Sequence, residues 1–305
     1  MAIIELTDIS KSYNDTQVIN NISFSVNQGE IFGLLGPNGA GKTTILRMLL
    51  DIITSDSGSI KVFDSTPDYA AKDRIGYLPE ERGLYKTTKI TDHLVYLAQL
   101  KGIPKKQAQE KAEYLLRLIE MYEHKEKKVE ELSKGMQQKI QFIAAIIHDP
   151  DIIVVDEPFS GLDPVNTKLI INILLEQKKA GKTIILSTHI MEQVQTLCDR
   201  ILMINKGSVV LYDTVDRIRK KYRKNLKNNS VILEFDGSVD AFSGLDCIRK
   251  VIEHDTFVEL ILQDADDIQP LLEELIKRVE IIRFEQTTPS LNDIFIEIVE
   301  GGITE

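Results

Sequence analysis

GPNGAGKTT, residues Gly36 to Thr44, decides the class of this chain. Two glycines flank four residues, and Lys42 and Thr43 follow the second glycine. Upstream, Glu30–Leu35 is a short apolar run that reads as a buried strand. Downstream, Ile45–Leu50 reads as a helix. Strand, glycine-rich loop and helix in that order form the context in which such a stretch cradles phosphate. The glycines let successive backbone N–H groups turn inward, and the helix N-terminus favours an anion. In that reading Lys42 reaches the β- and γ-phosphates and Thr43 binds Mg²⁺.

A second stretch, DIIVVDEPFSGLD (Asp151–Asp163), places two adjacent carboxylates, Asp156 and Glu157, at the end of an apolar run. One carboxylate can hold a metal ion while its neighbour orients an attacking water. Ile152–Val155 and Thr183–Leu186 are β-branched with little alternation, as in a parallel sheet covered on both faces. Ile3–Leu6 and Ile22–Val26 read as further strands, with Asn14–Gln17 as a turn. Apolar spacing predicts amphipathic helices over 91–100, 106–121 and 136–147. In LSKGMQQK (Leu132–Lys139), Ser133 is placed as an N-cap, so the following N–H groups face something anionic. Strands alternating with helices make the class α/β.

The chain has 305 residues, is 43% hydrophobic and 28% charged, and carries a net charge of −10. That length suits one large domain and a small one. An acidic chain is a poor general binder of nucleic acid, whose phosphates demand Lys and Arg. The exception is a basic run, Arg217–Lys227, which reads either as a solvated helix end and linker or as a contact for DNA or anionic lipid. No apolar run approaches the ~18 residues of a membrane span. The N-terminus lacks the pattern of a secretory signal, so the expected location is cytosolic. Cys198 and Cys247 read as free thiols.

Beyond Leu211 the texture changes. Strand-like Val231–Phe235, a helical patch Val239–Phe242, strands at Cys247–Ile252 and Phe257–Leu262, a helix Ile268–Arg278 and a strand Ile281–Phe284 follow one another. This β-α-β-β-α-β order suggests a ferredoxin-like domain. A last helix is predicted over Pro289–Val299.

Taken in order over residues 1 to about 215, these stretches resemble the ATP-binding subunits of ABC transporters. The resemblance implies that Tyr13 stacks on adenine and that Gly36, Pro37, Asn38, Gly39, Ala40, Gly41, Lys42, Thr43 and Thr44 form the phosphate loop. It implies that Ser133, Lys134, Gly135, Met136 and Gln137 are the signature, acting on the ATP of a partner subunit. Asp156 fits a Mg²⁺ ligand, Glu157 the general base, Asp163 the D-loop and His189 the switch histidine that senses the γ-phosphate; Lys42 stabilises phosphate charge. His93, His124, His148 and His254 match no family position and read as structural or surface residues.

In GYLPEERGLY (Gly76–Tyr85), Glu80 stands where the family carries glutamine. It keeps an oxygen for Mg²⁺ and water but adds a charge, which the metal can hold ionised. The wording of this stretch and the C-terminal extension is similar to the ATPases of ABC-2-type exporters, including the sodium-efflux kind. Arg82, Leu84 and Tyr85 then belong to the face that grips a membrane subunit.

The expected architecture is α/β: a P-loop ABC ATPase core over 1–215 with a helical subdomain at about 86–150, a basic linker 216–229, and a small C-terminal α+β, ferredoxin-like domain over 230–305. The implied function is ATP hydrolysis, with ATP and Mg²⁺, by an exporter subunit that powers a separate transmembrane permease from the inner face of the cell membrane. Two ATPase subunits, a homodimer or an unlike pair, close head to tail, and no nucleic acid is involved. The alternative is a non-transport ABC ATPase acting on nucleic acid or ribosomes. A regulator without turnover would need a damaged site, and Lys42, Asp156, Glu157 and His189 are all present.

Overall fold

In a computed structural model, all residues are described except 82, 223–229, 265–266, 288–289 and 300–305. Arg82, Pro289 and the second half of the basic run therefore lie outside the described residues. Contacts divide the chain into two units, Met1–Val215 and Asp216–Glu305.

In the first unit, β1 (Ala2–Tyr13) and β2 (Thr16–Asn27) form a long antiparallel hairpin, joined on the other side of β1 by β4 (Ser57–Val62). Both hairpin strands outrun the apolar runs Ile3–Leu6 and Ile22–Val26: the added positions are mostly polar, with Ile9 and Ile19 as isolated buried residues that alone give little pattern. β3 (Ile31–Leu35), β5 (Ile75–Leu78), β6 (Ile152–Asp156), β7 (Thr183–Thr188), β8 (Arg200–Asn205) and β9 (Ser208–Thr214) form a second sheet in the order β5-β6-β7-β3-β8-β9. Its strands are parallel except β9, which runs against β8. β3, β6 and β7 are buried at every position, so they carry no alternation.

Helix α1 (Lys42–Leu49) packs between the two sheets in a core that includes Phe24, Phe32, Ile45, Leu46, Val154 and Leu202. Phe24 and Phe32 stack with ring centroids 5.3 Å apart, which fixes one sheet on the other. Short helices α2 (Tyr69–Asp73) and α7 (Met191–Leu197) and the longer α6 (Pro164–Lys179) complete the strand connections.

Three helices stand after β5: α3 (Ile90–Leu100), α4 (Lys105–Leu118) and α5 (Lys134–Ile146). The second ends earlier than its apolar spacing suggests. Glu120 adopts φ 58°, and the Met121 N–H turns back to the Leu116 carbonyl at 2.8 Å. α5 lies directly on β5, where a Cβ on Gly76 would sit 2.1 Å from the Ala145 carbonyl oxygen.

In the second unit, β10 (Ser230–Asp236), β11 (Ile248–Glu253), β12 (Val258–Leu262) and β13 (Glu280–Gln286) form an antiparallel sheet in the order β11-β12-β10-β13. With α9 (Ile268–Leu275) this is the ferredoxin-like arrangement, except that the first helix is one 3₁₀ turn, Val239–Phe242. Gly237 and Gly244 leave too few residues between them to nucleate an α-helix. The basic run begins in α8 (Val215–Tyr222), and α10 (Leu291–Val299) closes the described chain, with Ser290 accepting from the Asp293 N–H. Cys198 is buried, Cys247 partly so, and both are free thiols.

The contact of α5 on β5 can be measured. Gly76→Ala forces a methyl group into the Ala145 carbonyl and should destabilise the first unit by about 1–3 kcal/mol. Urea unfolding followed by far-UV circular dichroism checks this; an unchanged midpoint would mean that the helix yields freely.

Candidate active site

The phosphate loop is a backbone feature. It leaves β3 at Leu35 and enters α1 at Lys42. At Gly36 a Cβ would lie 2.2 Å from the Ile204 carbonyl oxygen, so the loop can follow this course only with hydrogen there. Gly41, at φ 109°, turns the chain into the helix where a Cβ would meet Ile19 at 2.4 Å. Lys42 is only 7% exposed, and its Nζ donates to the Gly36 and Pro37 carbonyls at 2.9 and 3.2 Å. It lies 4.0 Å from Glu157 Oε1. Burial lowers its pKa, against the opposing fields of Glu157, Asp156 and Glu80.

β6 delivers the two carboxylates. Asp156 is fully buried; its Oδ2 accepts from the Thr43 hydroxyl at 2.8 Å, and its Oδ1 is buried without a hydrogen-bond partner among the described residues. Burial pushes its carboxyl above the usual range, with Glu157 adding to the effect. Glu157 follows at φ 49°, a left-handed conformation that costs a non-glycine residue energy. Its N–H donates to the Ser187 carbonyl at 2.9 Å, which ties this turn to β7. Glu157 Oε1 lies 2.8 Å from His189 Nδ1, and Oε2 accepts from the Thr188 hydroxyl at 3.2 Å. Strain in the backbone and two side-chain bonds thus fix this carboxylate.

A cavity of 410 Å³ opens among these groups, lined by the loop and α1 residues Asn38, Gly39 and Gly41–Thr44, with Val18, Glu80, Asp156 and Glu157. The remaining expected site residues lie elsewhere. Tyr13 is half-exposed at the end of β1, with Lys11 over its ring. Ser133 caps α5 by accepting from the Met136 N–H at 3.3 Å. A Cβ on Gly135 would approach the Gly161 carbonyl to 3.3 Å, and Lys134 is exposed. Gln137 donates to the Val129 and Leu132 carbonyls, both at 3.2 Å. Asp163 caps α6 through Asn166, whose hydrogen bonds hold its carboxyl below the usual range. None of Ser133–Gln137, Asp163 or Tyr13 lines the cavity of its own chain.

Two buried glutamines of α5 are not among the expected site residues: Gln138, inside the LSKGMQQK stretch but past its assigned residues, and Gln141, beyond it. Gln138 Nε2 donates to the Pro158 carbonyl at 3.1 Å; Gln141 Nε2 donates to those of Pro79 and Glu81 at 3.0 and 3.1 Å. Their only sequence signal is an amide at an inward position of an amphipathic helix. Beside them is an apolar cleft of 380 Å³, lined among others by Ile52, Leu84, His93, Leu97, Gln141 and Ala144. His93 is buried there with neither ring nitrogen hydrogen-bonded among the described residues, and burial lowers its pKa. His148 also lines the cleft, and His254 stacks on Phe257. No helix among the described residues is long and apolar enough to cross a membrane.

Known proteins share this arrangement. Residues 19–160 match the ABC transporter family, and residues 214–299 match the C-terminal domain of DrrA1-3-like ATP-binding proteins. An ABC transporter ATP-binding protein of Methanocaldococcus jannaschii is 40% identical over 96% of this chain and 98% of its own length. Nod factor export ATP-binding protein I of Bradyrhizobium diazoefficiens is 33% identical over 97% of this chain and 95% of its own. The solved structure of an ATP-binding subunit of an ABC transporter superposes with a TM-score of 0.67 at 30% identity, covering 72% of this chain and 93% of that one. Phosphate loop, paired carboxylates, sheet order and full-length likeness agree: the chain belongs to the ATP-hydrolysing, ATP-binding subunits of ABC transporters.

Proposed function

We propose that this chain powers an exporter. Two ATPase subunits, like or unlike, close head to tail on ATP at the inner face of the membrane and drive a separate permease. The observation that carries the reading is the single cavity onto which Lys42, Thr43, Asp156, Glu157 and Glu80 converge. Lys42 exchanges its two loop carbonyls for phosphate oxygens. Glu157, oriented by Thr188 and His189, takes the proton of the attacking water. His189 gives Nδ1 to Glu157 and keeps Nε2 for the γ-phosphate.

The residues present fit Mg²⁺. Asp156 Oδ1 is a buried acceptor with no hydrogen-bond partner among the described residues, beside the Thr43 hydroxyl, and Mg²⁺ is usually held by one or two carboxylates together with substrate phosphates. Bound there, the ion neutralises developing phosphate charge. Thr43 and Asp156 would hold it, with Glu80, which lines the same cavity, as a further oxygen.

Ser133–Gln137 and Asp163 do not line their own cavity, which supports a role for them on the ATP of the second subunit. Tyr13 supplies the exposed ring for adenine. The apolar cleft beside α3 and α5 receives the permease, with Leu84 and the exposed Tyr85 at its rim. Residues 1–215 form the nucleotide domain, 216–229 join it to the rest, and 230–305 add pairing or permease contacts. Export is supported by the likeness to Nod factor export ATP-binding protein I along nearly the whole chain.

Glu157→Gln should bind ATP normally, hydrolyse it on the order of 10²–10⁴ times more slowly, and run as a trapped dimer in ATP during sedimentation. Near-normal turnover would remove Glu157 from the role of base. Glu80→Gln should keep its activity, since it retains the oxygen and loses a charge. Glu80→Ala should lose about tenfold, as for a supporting ligand group; equal rates for all three would place Glu80 outside the reaction. Purified from detergent-solubilised membranes, the tagged chain should bring a multi-span membrane protein with it. Leu97→Glu in the cleft should release that protein while ATP affinity holds. Recovery of ribosomes or nucleic acid instead would overturn the transport reading.

A further inference from the structure

We infer that Gln141 is a positioning residue for Glu80, holding the loop that carries it at the phosphate cavity. The inference rests on the proposed role of Glu80. Glu80 itself has an exposed side chain on a loop. What fixes the loop is the Gln141 amide, which donates to the carbonyls on either side of it, Pro79 at 3.0 Å and Glu81 at 3.1 Å. Both N–H groups of the amide are used, and Glu80 is held between them. The helix behind Gln141 is itself seated. One turn on, on the same face of α5, Ala145 presses its carbonyl against Gly76 at the start of the same strand. α5 therefore grips β5 at its root by backbone contact and at its tip by an amide.

A glutamine serving stability alone would be satisfied at both ends. Gln141 is 5% exposed, yet among the described residues its Oε1 has no partner. A buried amide oxygen left unpaired opposes folding, so its presence asks for an explanation. The side chain lines the apolar cleft, near His93, whose two ring nitrogens are also buried and unpaired among the described residues. One end of one amide thus holds the loop of Glu80. The unpaired oxygen is the cost of a side chain placed to hold that loop rather than to be satisfied itself.

The test is a double-mutant cycle in the full-length chain, with Gln141→Met as the volume-conserving variant. Gln141→Met should lower kcat about tenfold with the KM for Mg-ATP held, as for loss of a supporting group. In a Glu80→Ala background the same substitution should change kcat by less than about twofold, since residues acting as one unit are not additive. Hydrogen exchange should quicken in the peptide 76–85 and stay unchanged in the peptide over 36–44. Losses that multiply, or an unchanged 76–85 peptide, would overturn the inference while leaving Glu80 in its role. A fully active Glu80→Ala enzyme would overturn both. If Gln141→Met does not fold, Gln141→Asn, too short to reach both carbonyls, is carried through the same arms with the same criteria.

Discussion

Two carboxylates and an ammonium share a nearly dry site, and most of the first unit is arranged around that fact. Asp156 is fully buried, and Lys42 and Glu157 are each 7% exposed. Taking such groups out of water is costly unless each finds partners. Lys42 is held by two loop carbonyls and by Glu157 at 4.0 Å; Glu157 is held by Thr188 and His189; Asp156 is held on one oxygen only. The bonds are therefore complete for the two groups that must stay in place and incomplete for the one proposed to take a metal. Burial raises the pKa of Asp156 and the neighbouring Glu157 adds to it, against the hydroxyls of Ser187 and Thr43 and the charge of Lys42. A cation bound at Oδ1 would favour the ionised form.

The convergence itself comes from strand order. β6, β7 and β3 are adjacent and parallel, so their C-terminal ends lie side by side. The phosphate loop leaves β3, Glu157 leaves β6, and Thr188 and His189 end β7. Residues 36, 157 and 189 meet because the sheet brings three carboxyl ends to one edge, the place where open α/β sheets bind ligands. The single backbone bond from Glu157 N–H to Ser187 then sets the two later loops against each other.

Much of this was legible in the sequence because it is written in local patterns. The glycines of the phosphate loop are required by contacts at Gly36 and Gly41, and the buried strands announce themselves by continuous β-branched runs. Other features depend on partners distant in sequence. β5, β8 and β9 are short or flanked by polar residues, and only pairing defines them. The first helix of the second unit shrinks to a 3₁₀ turn, because the spacing of Gly237 and Gly244 outweighs the apolar pattern of Val239–Phe242. Gln138 and Gln141 read as two polar residues in a helix; their bonds run to carbonyls 20 and about 60 residues away.

Those two amides also bear on how closure of a pair could reach the reaction. Ser133, Gln138 and Gln141 sit on one helix. Its cap would face the second subunit, and its side chains hold the loop after Glu157 and the loop around Glu80. A helix is stiff over this length, so a small rotation of α5 moves all three points together. The close seat of Ala145 on Gly76 holds the C-terminal part of α5 on β5, and Gln137, Gln138 and Gln141 tie the rest of the helix to its neighbouring loops. On the proposed reading, binding at the cap and the setting of both carboxylate loops are then positions of one rigid element rather than separate events.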